Sequence, residues 1–457
     1  MNTKGKGKTQ KLKINNNFII AVGVGLLLLI IIIFLFSKLG NSKKVSNKYI
    51  FDNNRLISIY KNGLYGFINK NGKEIVKPEY DYIMSDSGKY IVVEKDGVYY
   101  ILDNNGNIKL ESKTSISYNV DHDVYVADNK LYNSNLKILS PRKLNVVHSG
   151  YGYYRFISED GETAGVMSSE GKVIYRQKIK KGDSFYIYIG DQSEDEEELY
   201  CVVSPDNKAY QIINCNTGKI VLDYTTDLIS PAGNNLFYIG VVGKEEVKTI
   251  FVKNNKVALE VEKSTNVRYY LSGYIEYQED DKVKYYNVKT KKTLDKTPND
   301  LITNDTRTEW EKKSGYTKMS CSRQYGIVDN NNVVLPCEYD KISYLPTKLY
   351  EYLESIGKKY VLATKDKTTQ LVNLSNKNVV KTFETESTIN SNSNSPFIYY
   401  FEGDNKFVLF NLINNREETY EADSIDVYGN YFRLHKDKKI IYYNLNLEKI
   451  YEIDDEK

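Results

Sequence analysis

The sequence predicts an all-β protein of about eleven repeats, each about 37 residues long, preceded by one transmembrane helix. Three observations support this prediction. The 457 residues include 42 tyrosines, a residue type that suits half-buried strand faces. Turns rich in Asn and Gly recur at regular intervals along the chain. One long apolar run near the amino terminus contains no charged residue.

The composition excludes several classes of protein. Hydrophobic residues make up 41% of the chain, and 63 Lys and Arg residues nearly balance 60 Asp and Glu residues. Wholesale disorder needs fewer apolar residues, and a nucleic-acid-binding chain needs a larger positive charge. Four cysteines are too few for a disulfide-dense scaffold.

The apolar run covers residues 18–36 and reads FIIAVGVGLLLLIIIIFLF. At about 1.5 Å per residue, a helix of this length spans the hydrocarbon core of a bilayer. The run is longer than the apolar region of most cleaved signal peptides, and no small-x-small cleavage site follows it. These features predict a retained membrane anchor.

The lysines around the run predict its orientation. Five lysines precede it in residues 1–17, and four follow it by residue 48. The more basic side favours the cytoplasm. We therefore expect a cytoplasmic tail at 1–17, the anchor at 18–36, a linker at 37–54 and an extracytoplasmic domain at 55–457. Without the flanking lysines this domain is mildly acidic, which argues against a nucleic-acid partner.

The repeat is clearest in two segments, residues 65–83 and 325–342. Both read aromatic-Gly, two apolar residues, an Asn-rich turn, a β-branched run, Pro, and then Tyr-Asp-x-Ile. The residues that define the motif are Tyr65, Gly66, Gly72, Pro78, Tyr80 and Asp81 in the first copy, and Tyr325, Gly326, Pro336, Tyr339 and Asp340 in the second. We interpret them as structural.

Weaker copies extend the repeat over the whole domain. Turn centres fall near residues 72, 106, 135, 171, 218, 255, 291, 331, 377, 415 and 446. Each unit offers three or four short strands, the content of a propeller blade or of one turn of an open β-solenoid. We expect Pro78 and Pro336 at strand ends, and Gly66 and Gly326 where two backbones approach closely.

At residues 63–83 and 325–342 the sequence resembles the WG-repeat (KWG-type) proteins of bacteria. Tyr65 and Tyr325 stand where that family has its signature Trp. The resemblance implies a propeller-like fold and a role in binding rather than a defined reaction.

Three stretches interrupt the repeat. Residues 295–315 are polar, contain the one tryptophan, Trp310, and suggest a sub-domain boundary. Residues 346–356 predict a short surface helix with Thr347 as N-cap. Residues 390–396, NSNSNSP, predict a flexible loop.

The sequence contains no recognisable catalytic, cofactor or metal motif. His122, His148 and His435 lie in different units, and the acidic run at 191–198 lacks the alternating ligands of a calcium loop. Cys201 and Cys215 are candidates for a disulfide across one hairpin. Cys321 and Cys337 are expected on strands two apart, a separation beyond disulfide reach.

These observations predict a non-catalytic, membrane-anchored module that binds or assembles at the cell surface. Its partners would be the membrane and a protein or cell-envelope glycan ligand. The alternatives are a sensor or accessory subunit of an envelope enzyme, or an enzyme with an unrecognised site. Periodicity favours Tyr65 and Tyr325 as core residues. In Tyr-Tyr pairs such as Tyr99-Tyr100, one ring is expected on each strand face.

Overall fold

The computed structural model describes residues 49–190, 198–240, 247–262, 267–270, 273–279, 282–298, 308–321, 323–329, 332–384 and 388–455. The chain divides into two units, residues 1–45 and 46–457. The predicted anchor at 18–36 lies outside the described residues. Among those described, no helix is long and apolar enough to cross a membrane.

The described residues of the second unit form eleven antiparallel sheets, A to K, whose strands follow chain order. Sheets A to D contain β1 (Ile57–Lys61), β2 (Leu64–Ile68), β3 (Glu74–Tyr80); β4 (Tyr82–Ser85), β5 (Ile91–Lys95), β6 (Val98–Leu102), β7 (Ile108–Ser112); β8 (Ser117–Asn119), β9 (Val124–Ala127), β10 (Lys130–Asn133); and β11 (Leu144–Gly150), β12 (Tyr153–Ser158), β13 (Thr163–Ser168), β14 (Val173–Lys178).

Sheets E to G contain β15 (Tyr186–Tyr188), β16 (Tyr200–Ser204), β17 (Tyr210–Asn214), β18 (Ile220–Thr225); β19 (Ile229–Gly233), β20 (Leu236–Ile239), β21 (Lys248–Lys253), β22 (Lys256–Val261); and β23 (Arg268–Tyr270), β24 (Tyr274–Glu279), β25 (Lys282–Asn287), β26 (Lys292–Leu294).

Sheets H to K contain β27 (Tyr316–Cys321), β28 (Gln324–Asp329), β29 (Asn332–Tyr339); β30 (Lys341–Tyr344), β31 (Tyr360–Lys365), β32 (Thr368–Asn373), β33 (Asn378–Phe383); β34 (Asn390–Ser391), β35 (Phe397–Phe401), β36 (Lys406–Asn411), β37 (Glu417–Glu421); and β38 (Ser424–Val427), β39 (Tyr431–Lys436), β40 (Lys439–Asn444), β41 (Lys449–Asp454).

The all-β prediction is confirmed. In ten sheets the predicted turn centre lies between the last two strands. In sheet C it follows β10, where a single bridge joins Tyr132 and Ile138. The repeat detected in the sequence is therefore the hairpin that ends each sheet.

Both faces of the middle strands are buried. On β16, Tyr200 and Val202 pack toward sheet F, whereas Cys201 and Val203 pack toward sheet D. Alternate residues of a strand point to opposite faces, so a continuous apolar run can serve two neighbouring cores. First strands such as β15 are short and half-buried, and last strands such as β26 are exposed.

Among the described residues, ten hydrophobic clusters join pairs of sheets, and one of them joins the first sheet to the last. Ile57, Ile59 and Ile68 of sheet A share a core with Tyr431 and Tyr442 of sheet K. The other clusters join A to B, B to C, C to D, D to E, E to F, F to G, H to I, I to J and J to K.

The turn glycines contribute to this contact between sheets. Gly72 has φ +78°, and a Cβ atom there would lie 1.8 Å from the carbonyl oxygen of Ile450 in sheet K. Gly218 of sheet E has φ +75°, and a Cβ atom there would lie 2.1 Å from the carbonyl oxygen of Ile174 in sheet D. Glycine suits such a turn because, without a Cβ atom, it adopts the left-handed backbone and allows the adjacent sheet to approach closely.

The strand glycines of the two clear repeats lie beneath a bulge in the next strand. Tyr65 pairs with Tyr80, and Phe67 pairs with Val76. Opposite Gly66, strand β3 therefore advances four residues where β2 advances two. A Cβ atom on Gly66 would lie 2.6 Å from the nitrogen of Pro78. Pro78 and Pro336 therefore lie inside bulged strands rather than at strand ends. Proline is tolerated there because a residue in a bulge need not donate a hydrogen bond to the neighbouring strand.

Both cysteine pairs form disulfides. Cys201 and Cys215 are fully buried, with 6.0 Å between their Cα atoms. Cys321 and Cys337 are bonded at the same Cα separation, so the expectation that strand spacing keeps them apart is wrong. Gly326 has no side chain, and the bulged β29 folds over it toward β27.

In the part of the chain that the structure describes, two short helices interrupt the sheets. Helix α1 (Glu309–Ser314) lies within the stretch interpreted as a boundary, and its Trp310 is buried against Tyr344, with 4.1 Å between ring centroids. Helix α2 (Thr347–Ser355) matches the predicted surface helix, with Pro346 rather than Thr347 as N-cap.

Candidate binding site

A cavity of about 330 Å³ lies where sheets A, B, J and K meet the segment before β1. Its apolar wall contains Leu56, Phe67, Ile83 and Ile91, and its polar groups include Ser58, Ser87, Asn392, Asn394 and Asn430. Two charged residues also line it, Arg55 and Asp86. Ligand cavities of this type combine an apolar wall with a few polar groups.

The segment before β1 places Arg55 in the cavity. Phe51 is buried and stacks on Tyr352 of helix α2, with 4.1 Å between ring centroids. A turn closes after it, because the nitrogen of Arg55 donates to the carbonyl of Asp52 at 3.0 Å. The side-chain amide of Asn430 then donates to the carbonyl of Arg55 at 2.9 Å. Residues 49–54, assigned to a linker by sequence, thus pack against the sheets.

Two glycines give this segment room. A Cβ atom on Gly429 would lie 2.0 Å from the carbonyl oxygen of Ile50, and one on Gly88 would lie 2.4 Å from Tyr125 Oη. Neither glycine has positive φ, so the requirement is space alone. Without it, the segment and the turn after β4 could not close around Arg55.

Arg55 carries a buried charge with incomplete partners. Its side chain is 5% exposed, and Nη1 donates to the carbonyl of Gly88 at 2.6 Å. Nη2 is buried and has no hydrogen-bond partner. No carboxylate of the described residues lies within ion-pair distance of this guanidinium. Burial accordingly lowers the pKa of Arg55, opposed mainly by the charge of Asp86.

A second arginine near the cavity has a carboxylate partner. Arg433 Nε donates to Asp426 Oδ2 at 2.8 Å, and His435 Nε2 lies 3.2 Å from the same oxygen. Burial opposes ionisation of Asp426, but the hydrogen bond and charge of Arg433 outweigh it and hold the pKa of Asp426 below its ordinary value. Tyr428, in the cavity wall, lies between Arg433 and Tyr431.

The repeat-motif residues do not converge on one site. Tyr80 and Tyr339 are buried in different clusters, and Tyr65 and Tyr325 are half-buried beside them. Asp81 Oδ2 accepts from the nitrogen of Asp96 at 2.8 Å, and Asp340 Oδ2 accepts from that of Asp366 at 3.0 Å. Each aspartate lies between two consecutive sheets and bonds a hairpin of the second one.

The other sequence candidates also take structural positions. His122 is exposed, and His435 also approaches Asp455, with 3.1 Å between Nδ1 and Oδ2. The described residues contain no group of three or more His, Cys, Asp or Glu side chains arranged to hold a metal ion. Residues 191–197 of the acidic run lie outside the described residues, and Glu198 accepts from the hydroxyl of Tyr200 at 2.8 Å. Tyr285 and Tyr286 are both buried, and Tyr99 and Tyr100 are both half-buried.

Sequence reasoning missed Arg55, Asp86 and the tyrosines of the cavity. They come from the segment before β1, the turn after β4 and the β38–β39 hairpin, and Ser58 and Tyr431, which both line the cavity, are 373 residues apart in the chain. A weak signal was present, because Arg55 directly precedes the apolar start of the first strand.

Comparison with known proteins gives a local family match. Residues 65–99 match the family described as "WG containing repeat". No curated protein matches the chain. Among solved structures, BamB from Moraxella catarrhalis is 9% identical, covering 73% of this chain and 94% of its own, with a TM-score of 0.21. Kluyveromyces lactis Hsv2 is 10% identical, covering 80% and 96%, with a TM-score of 0.20. TM-scores this low do not establish a shared fold.

Proposed function

We propose that this chain is a non-catalytic binding or assembly module, held at the membrane by residues 18–36 with its β domain outside the cytoplasm. The observation that carries the binding role is the cavity at Arg55. A buried guanidinium with an unpartnered N–H is costly in a folded protein, and a bound ligand would offset that cost.

The two disulfides favour the extracytoplasmic location. Cys201–Cys215 and Cys321–Cys337 account for all four cysteines of the sequence. Disulfides form and persist mainly in oxidising compartments, and reducing conditions keep cytosolic cysteines as thiols.

The contact between sheets A and K favours a closed, propeller-like arrangement over an open solenoid. In an open array the first and last units bury no surface against each other. Here Ser58 Oγ of sheet A lies 3.2 Å from Tyr431 Oη of sheet K, within a shared apolar cluster.

The location is tested with reporters fused after Lys457. We expect alkaline phosphatase, which is active outside the cytoplasm, to be active, and a reporter that fluoresces only in the cytoplasm to be dark. The reverse result would reject the proposed topology.

The binding role is tested by ligand-observed NMR of a small-fragment set against the full chain in detergent micelles. Ser87→Trp fills the cavity from a turn, and Ser115→Trp is the control at an exposed position. We expect fragments whose signal is lost with Ser87→Trp and kept with Ser115→Trp. Identical fragment profiles for the two variants would reject the cavity as a binding site.

A further inference from the structure

We propose that the cavity binds the carboxylate of a small monocarboxylic ligand at the guanidinium of Arg55. This inference rests on the binding role proposed above and adds the chemical class of the ligand. It starts from Arg55, which lines a cavity formed by residues of four sheets and whose Nη2 has no hydrogen-bond partner.

The charge at Arg55 is not balanced within the described structure. Asp86 and Asp52 are the acidic residues whose charges act on it, and neither forms an ion pair with it. Asp86 is exposed at the cavity, and Asp52 Oδ1 accepts from the nitrogen of Asn54 at 2.9 Å. Arg433 shows the contrast, since Asp426 neutralises it at 2.8 Å. A buried charge normally has such a partner.

The neighbouring groups favour a carboxylate over a phosphate. Among the described residues that line the cavity, Arg55 is the one cation, so a dianion would leave a negative charge there unbalanced. Asp86 would add repulsion against a second negative charge. A carboxylate bears one charge and accepts a guanidinium N–H in a short, charge-assisted hydrogen bond.

The cavity also restricts ligand size. Its volume of about 330 Å³ is at the lower end for ligand sites. Leu56, Phe67 and Ile91 offer contact to a short apolar body, and the amides of Asn392 and Asn394 can bond a polar group beyond it. These features fit a molecule the size of an amino acid derivative.

The test uses N-acetyl-L-alanine as probe, its uncharged methylamide and inorganic phosphate, each titrated against the full chain in micelles. We expect the acid to bind at least ten-fold more tightly than the methylamide and than phosphate. Arg55→Gln should weaken binding of the acid at least ten-fold, whereas Arg416→Gln, at an exposed arginine that also bonds a carbonyl, should leave it unchanged. Asp86→Asn should leave or strengthen binding.

The outcomes separate the two proposals. Equal binding of acid and methylamide, both lost in Ser87→Trp, would overturn the carboxylate assignment and keep the binding role. Phosphate binding as tight as that of the acid would also overturn it. If no probe shows binding that Ser87→Trp abolishes, the result expected when water alone fills the cavity, both the carboxylate assignment and the binding role are overturned. If Arg55→Gln fails to fold, guanidinium ¹⁵N shifts of arginine-labelled wild type decide: an unshifted set on addition of the acid rejects the site.

Discussion

Individual residues of the repeat owe their identity to what the adjacent strand or sheet does at that position. Gly66 and Gly326 are covered by a bulged strand, and Gly72 lies against the backbone of the neighbouring sheet. Tyr65 and Tyr325 pair with Tyr80 and Tyr339 across that bulge. The recurring glycines of the motif are therefore those that close backbone contacts require, and the tyrosines complete the packing around these contacts.

Gly72→Ala should destabilise the protein far more than Gly97→Ala. Both glycines have φ near +75° to +78°, but a Cβ atom on Gly97 meets nothing within 4 Å. The control should cost about 1–2 kcal/mol for backbone strain alone. Gly72→Ala should cost at least about 2 kcal/mol more, because the hairpin must move away from Ile450. Chemical denaturation gives both values, and equal losses would show that the turn does not press on sheet K.

Tyr325→Ala should cost about 1–2 kcal/mol, within the usual range for a single substitution. The expectation from periodicity was a core residue, but the ring is half-buried and Lys318 Nζ lies 5.1 Å from its centroid. Tyr125→Ala, at a fully buried ring, is the reference and should cost about 3–5 kcal/mol. A Tyr325→Ala loss as large as that of Tyr125→Ala would return Tyr325 to the core.

Among the elements, helix α1 depends on one carboxylate. Glu311 Oε2 accepts a hydrogen bond from the nitrogen of Thr308 at 2.7 Å. Glu311 Oε1 accepts two, from the nitrogen of Lys318 at 2.8 Å and from the hydroxyl of Tyr344 at 2.9 Å. With Thr308 Oγ1 accepting from its nitrogen, Glu311 completes a capping box. It thereby links helix α1 to sheets H and I.

Glu311 should make the protein sensitive to acid. Burial opposes its ionisation, but the hydrogen bonds from Lys318, Thr308 and Tyr344 hold its pKa below the ordinary 4.5. Its contribution is therefore full above that value and is lost as the pH falls through the lower folded pKa. Glu311→Gln should lower the unfolding free energy at pH 7 by about 1–3 kcal/mol and flatten the acid limb. Glu74→Gln, at an exposed carboxyl, is the control, and matching pH profiles for the two variants would contradict the prediction.

Much of the architecture could be predicted because the repeat acts through local chemistry. The Asn and Gly turns place a hairpin in each sheet, and helix α2 follows from the pattern of Leu349 and Leu353. Helix α1 was not predicted because its polar flanks resemble a loop, although Thr308 and Glu311 have the spacing of a capping box. The Cys321–Cys337 bond escaped because ideal strand spacing omits the bulge. The cavity could not be predicted, since its residues meet only after distant sheets pack.

At the scale of the whole molecule, the contact between sheets A and K depends on few polar bonds. The buried side chain of Asn430 bonds the carbonyl of Arg55, 375 residues away in sequence. Asn430→Ala should cost about 1–3 kcal/mol, because a buried carbonyl loses its donor. If this contact forms late in folding, the loss should appear as faster unfolding with an unchanged refolding rate. Asn414→Ala, which breaks a less buried bond to Leu445, is the control. Slower refolding without faster unfolding would contradict the prediction.

The contact between sheets A and K also has a consequence in time. Sheet A is synthesised first and its partner sheet last, with 373 residues between Ser58 and Tyr431. At about 5–20 residues per second, the ribosome needs roughly 20–75 s to cover that distance. During this interval the apolar face of sheet A, with Ile57, Ile59 and Ile68, awaits a partner not yet made. A nascent chain stalled before β38 should therefore expose this face, and chaperone binding to stalled chains should fall once β40 has emerged.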